Sequence, residues 1–172
     1  MIDSMKLWAR YNTATDEKMK ALLTALTPEA YTAERPGYFK TLAALHLHYV
    51  QSYRFYQSLI RKNTADKYLV SPLTEDGYEI KASTAAEVGA LAHELNHLWQ
   101  TFVDTVTEAE LVTPKTKRTM RNGKSYLLSV SDIVTQYQNH TVHHRGQLSQ
   151  QLDEMGIEHD IGGLMVFAQE TE

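Results

Sequence analysis

A chain of 172 residues with a formal net charge of −4 and a pI near 6.1 has no basic excess. That argues against nucleic acid as a partner, because proteins that neutralise phosphate backbones present clustered lysine and arginine. The length suits one hydrophobic core and one domain over residues 1–172, and the lack of cysteine excludes disulfides and thiolate ligands, leaving nitrogen and oxygen to hold any metal.

The N-terminal MIDSMKLWARYNTATDEK becomes charged early and lacks the apolar run of a signal peptide. No window approaches the ~18 apolar residues of a membrane span. The expectation is a cytoplasmic protein with no membrane partner. Trp8, Tyr11, Thr15, Met19, Leu22 and Leu26 recur at spacings of three and four, which predicts a first helix ended by Thr27-Pro28. After Pro36-Gly37, the segment from Tyr38 to about Lys62 has no breaker and forms a second helix carrying His46 and His48. Asn63 to Ser83 is polar, with turn signals at Ser71-Pro72 and Asp76-Gly77, and reads as a long crossover.

Thr84 and Glu87 are spaced as a capping box, and Val88, Leu91, Leu95, Leu98, Phe102 and Val106 form the stripe of a third helix. Between Glu108 and Ser129, the Asn122-Gly123 pair before Tyr126-Leu127-Leu128 predicts a small β-hairpin. Ser131 or Asp132 is placed to cap a fourth helix that runs to Met155-Gly156, and Ile161 to Gln169 forms a last short helix across the bundle end. The sum is an all-α four-helix bundle with a long crossover, a β-hairpin before the fourth helix and a short C-terminal helix.

Eight histidines occupy positions 46, 48, 93, 97, 140, 143, 144 and 159. Residues four apart on a helix stack on one face, so His93/His97 and His140/His144 are the pairs able to share a metal ion. His93-Glu94-Leu95-Asn96-His97 matches the HExxH signature of zinc peptidases. However, both histidines lie roughly 160° from Leu95 at ~100° per residue, facing outward, and no third histidine follows as in the extended pattern. His140 and His144 instead fall within about 20° of the line through Ile133 and point inward, where imidazoles need partners. A third ligand from the second helix is either His46, beside Leu42, Tyr49 and Tyr53, or His48, beside Leu45, Phe55 and Leu59; periodicity leaves both open.

The run Asn139-His140-Thr141-Val142-His143-His144-Arg145-Gly146-Gln147-Leu148 resembles the NHxxHHRGQ signature of the DinB-like (DinB/YfiT-like) family. The segment from Phe39 to His48, followed by Tyr53-Arg54-Phe55-Tyr56, is similar to that family's second helix, and Asn122-Gly123-Lys124 fits its hairpin. The resemblance implies a four-helix bundle with one divalent metal held by His48, His140 and His144. It also brings thiol-dependent S-transferases, an isomerase using low-molecular-weight thiols, and dimers into view.

Three neutral imidazoles leave a fourth position for water or substrate, as in catalytic zinc sites. Zinc is the first expectation and nickel the next, with copper and iron also accepted by an all-imidazole site. Gly146 is expected to let another helix approach, Gln147 to hydrogen-bond near the site, Arg145 to pair with an acid, and His143 to orient a ligand or sit at an interface. No catalytic base and no thiol pocket are identifiable.

The leading reading is a metal-dependent transferase or hydrolase acting on a small-molecule substrate. The alternatives are a non-catalytic metal-binding protein of stress response or interaction, and a zincin-like peptidase working through His93, Glu94 and His97. Because Leu42, Tyr49, Tyr53 and Tyr56 cover one side of the second helix and Leu45, Phe55 and Leu59 another, a homodimer is expected.

Overall fold

Long apolar periodicities with few internal breakers produce four long helices. In a computed structural model, which describes residues 1–74, 80–112, 116–119, 123–161 and 163–170, these are α1 (Ile2–Thr24), α3 (Leu42–Asn63), α4 (Ala85–Thr105) and α6 (Val130–Glu154). The short α2 (Pro28–Thr32), α5 (Glu108–Val112) and α7 (Leu164–Glu170) lie between or after them. α1 packs on α4, α3 packs on α6, and α3 also meets α4. β1 (Thr116–Thr119) pairs antiparallel with β2 (Ser125–Leu128), Thr116 opposite Leu128. Gly123 takes a φ of +78° in the connection, while Asn122 and the Asp76-Gly77 signal lie outside the described residues. Among the described residues, no helix is long and apolar enough to cross a membrane.

Local chemistry sets the helix ends, and it corrects several expected boundaries. α1 stops at Thr24, and Thr27 instead caps α2, its hydroxyl accepting from Ala30 N. α3 begins at Leu42 rather than Tyr38, because extended Thr41 caps it by accepting from Ala44 N at 2.9 Å and Gly37 holds a φ of +111°. The Thr84/Glu87 capping box forms as expected. The cap of α6 is Ser129, with Asp132 reaching back to the Ser129 amide at 2.8 Å; Ser131, one of the two expected caps, already lies inside the helix. Gly156 at φ +69° follows the end of α6. α7 lies on α1, Phe167 meeting Tyr11 at 5.7 Å between ring centres.

The core is less apolar than the stripes suggest. On α4, Ala92, Asn96, Trp99 and Val103 are buried along with Val88, Leu95 and Phe102, whereas Leu91 and Leu98 are half-buried. On α1, Asn12 and Asp16 are buried, while Trp8 and Leu22 are only partly covered. Asp16 accepts from Tyr49 Oη at 2.8 Å, from Tyr53 Oη at 2.9 Å and from Asn96 Nδ2 at 2.7 Å. Arg145 Nη2 donates to Asn12 Oδ1 at 2.7 Å and to Tyr49 Oη at 3.1 Å. One connected network therefore ties α1, α3, α4 and α6 together. Burial pushes the Asp16 carboxyl up, while Arg145 and the three donors work toward the ionised form. Burial also works against the Arg145 charge, but Tyr49, Tyr53 and Asp16 outweigh it and keep the guanidinium protonated.

On the second apolar side of α3, Phe55 and Leu59 are half-buried, and Leu73 and Ile80 of the crossover pack against the same core. Less apolar surface remains there for a partner than the sequence suggests. Removing the carboxylate of the buried network is expected to be costly. Asp16→Ala should lower stability by about 3–5 kcal/mol, because it strands a buried guanidinium. Urea unfolding followed by circular dichroism checks this, and a loss below ~1 kcal/mol would show that the network does not hold the bundle.

Candidate metal centre

Two helices build the site. α3 supplies His48 and α6 supplies His140 and His144, whose four-residue spacing stacks them on the side of α6 that faces α3. One ligand atom from each of the three lies within 4.8 Å of the others. His48 Nε2 and His144 Nε2 are 3.1 Å apart. Two nitrogens bound tetrahedrally to one zinc at ~2.0–2.1 Å sit about 3.3 Å from each other, so this pair is already near ligating separation. Among the described residues, no carboxylate or fourth histidine joins the group.

The surroundings keep the imidazoles neutral. Burial pushes His140 down to about 4, helped by His144, His48 and His143. Burial also lowers His48 and His144, in the latter case against the bond to Gln147. Neutral rings hold free lone pairs at pH 7, as a cation requires. His144 Nδ1 donates to Gln147 Oε1 at 2.7 Å, which places its lone pair on Nε2, toward His48. Without a cation, His48 Nε2 is then the donor in the pair. Phe39 packs on both rings, 4.8 Å from His48 and 5.6 Å from His144, and Tyr56 packs on His140 at 5.5 Å.

The other histidines go elsewhere. His46 is buried on a different face of α3, where its Nδ1 is 2.9 Å from Tyr31 Oη of α2 and burial pushes its pKa down to about 4. It is thus neither a surface residue nor a neighbour of the triad. His93, Glu94 and His97 are exposed, and His93 pairs with Glu17 of α1 at 2.7 Å. His143 is exposed with its ring 4.8 Å from that of His144. Gln147 bonds at the site as expected. Arg145 turns into the core and reaches Asp16 through Tyr49. Gly146 departs from expectation: it is exposed, with open space where a side chain would stand, so no helix among the described residues approaches it. Phe39 is the contact that the sequence reading left without a role; its signal is an aromatic just before the helix that carries His48.

Comparison with curated proteins finds no match. The sequence matches the model of the DinB family over residues 1–167, nearly the whole chain. With the bundle, the histidine triad and this match in agreement, the chain belongs to the DinB family.

Proposed function

We propose that the chain is a metal-dependent enzyme, a transferase or hydrolase of a small molecule, in which His48, His140 and His144 hold one divalent ion. The observation that carries this reading is the convergence of three neutral imidazoles from two helices with no fourth protein ligand among the described residues. Such a set fits zinc or nickel and leaves a position open, whereas structural zinc sites are closed by four protein ligands. A bound ion would supply Lewis acidity, which activates a water or a low-molecular-weight thiol. The protein's own part is to hold the imidazoles neutral, to fix the His144 tautomer through Gln147, and to shield the rings with Phe39 and Tyr56.

His140→Ala and His144→Ala should each abolish stoichiometric zinc binding, measured by calorimetry and elemental analysis, while His93→Ala and His97→Ala should bind as the parent does. Loss in the α4 variants would overturn the ligand set and revive the peptidase reading. On α3, His48→Ala should lose metal and His46→Ala should keep it, the latter being less stable because Tyr31 loses its partner. Gln147→Leu should keep the fold and weaken zinc by about 10–100-fold, the usual cost of losing a residue that orients a ligand.

Chelation tests the enzyme reading against a structural metal. The core of Trp99, Tyr49, Tyr53 and Tyr137 does not involve the triad, so the metal-free protein should retain its helical circular dichroism. Collapse of the helix signal would favour the non-catalytic alternative. The proposal of a homodimer rests on the apolar and aromatic residues that α3 carries on more than one side, and sedimentation of the same samples decides it; a monomer at micromolar concentration removes it.

A further inference from the structure

Beside the triad, a cleft of about 290 Å³ runs between residues 36–39 and the last turns of α6, at the lower end of the size of small-molecule sites. Its two walls differ in chemistry. Phe39 and Leu45 make one side apolar, and Gln147, Gln150, Gln151 and Glu154 line the other. Two of these residues also touch the triad: Phe39 stacks on His48 and His144, and Gln147 accepts from His144 Nδ1. A molecule in the cleft therefore lies one side chain away from the metal ligands.

The polar wall carries one charge, that of Glu154, beside three glutamine amides. Gln151 Oε1 is buried and has no hydrogen-bond partner among the described residues. Glu154 is exposed and accepts from Gln150 Nε2 at 3.0 Å, a neutral donor that leaves its charge uncompensated. Among the described residues, no lysine or arginine lines the cleft. The last turn of α6 has no basic residue, so the partial negative charge of the helix C-terminus adds to that of Glu154. The nearest arginine in sequence, Arg35, sits by the C-cap of α6, its Nη2 donating to the Ala30 carbonyl and resting on Met155 Sδ, and no ion pair joins it to Glu154 among the described residues.

We propose that this cleft binds a small amine, with the ammonium at Glu154, the apolar body on Phe39 and Leu45, and the far end at Gln147 beside the triad. An anion of the same size would meet the Glu154 carboxylate and the helix C-terminus with no lysine or arginine among the lining residues to pair it. The inference rests on the metal-site reading for where the reacting end lies, but not for recognition of the amine.

Three probes of matched size, phenethylamine, phenethyl alcohol and hydrocinnamate, would be titrated into the full chain with and without zinc while amide NMR shifts are followed. Phenethylamine should shift Phe39, Gln147 and Gln151 and bind about fivefold more tightly than the alcohol, with the acid weakest, as an exposed ion pair permits. Glu154→Gln should remove that advantage and leave zinc affinity unchanged. Equal binding of the three probes, or shifts confined to other parts of the chain, would overturn the proposal. Zinc stoichiometry on the same samples separates the two readings. Amine selectivity without zinc binding supports the cleft and sinks the metal centre; zinc binding without amine selectivity sinks the cleft alone.

Discussion

Burial of the Arg145 guanidinium determines how the rest of the molecule is arranged. An ion taken out of water is tolerated only when partners surround it, and here the partners come from α1 and α3, with Asp16 behind them. Rotating α6 until Arg145 meets α1 leaves only one direction for the residues about 120° around the helix. That direction holds His140 and His144, and α3 occupies it. The arginine that follows a metal-ligand candidate in sequence thus acts on the site without facing it, by fixing the angle at which the helix presents its histidines.

Periodicity made the helices legible, because apolar spacing and helix pitch are the same information. It was blind to the polar half of the core. Asn12 and Asp16 are polar and add nothing to an apolar stripe, and only the tertiary pairing with Tyr49, Tyr53, Asn96 and Arg145 makes their burial affordable. The stripe of α4 was displaced for a related reason: Ala92 and Asn96 pack closely against neighbouring helices, so the helix turns away from Leu91 and Leu98. The start of α6 was misplaced because two serines, Ser129 and Ser131, lie within a turn of each other and offer the same hydroxyl.

The site was legible to the extent that a helix face can be computed. Inward His140 and His144 and outward His93 and His97 follow from the neighbours on their own helices, and the structure agrees. Choosing between His46 and His48 required knowing what lies across α3. Tyr31 of α2 takes one, and α6 takes the other. The periodicity of α3 does not encode that difference; only the resemblance of its motif to the DinB-like second helix pointed to His48. Phe39 escaped notice because its position depends on a loop closed by the Arg35 amide bonding the Lys40 carbonyl at 2.7 Å, which brings an aromatic ring over rings that belong to two other segments.

The separation of the ligands along the chain gives the centre a temporal order. His48 and His144 stand 96 residues apart, so a chain emerging during synthesis carries α3 complete long before the other half of the site exists. Closing a loop of that length has an entropic cost that rises only slowly with length, and packing of α6 against α3 offsets it. A cation captured by all three imidazoles therefore marks a chain whose bundle has already closed, whereas an unfolded chain offers only the local pair on α6. On the proposed ligand set, metal occupancy would be a record of completed folding.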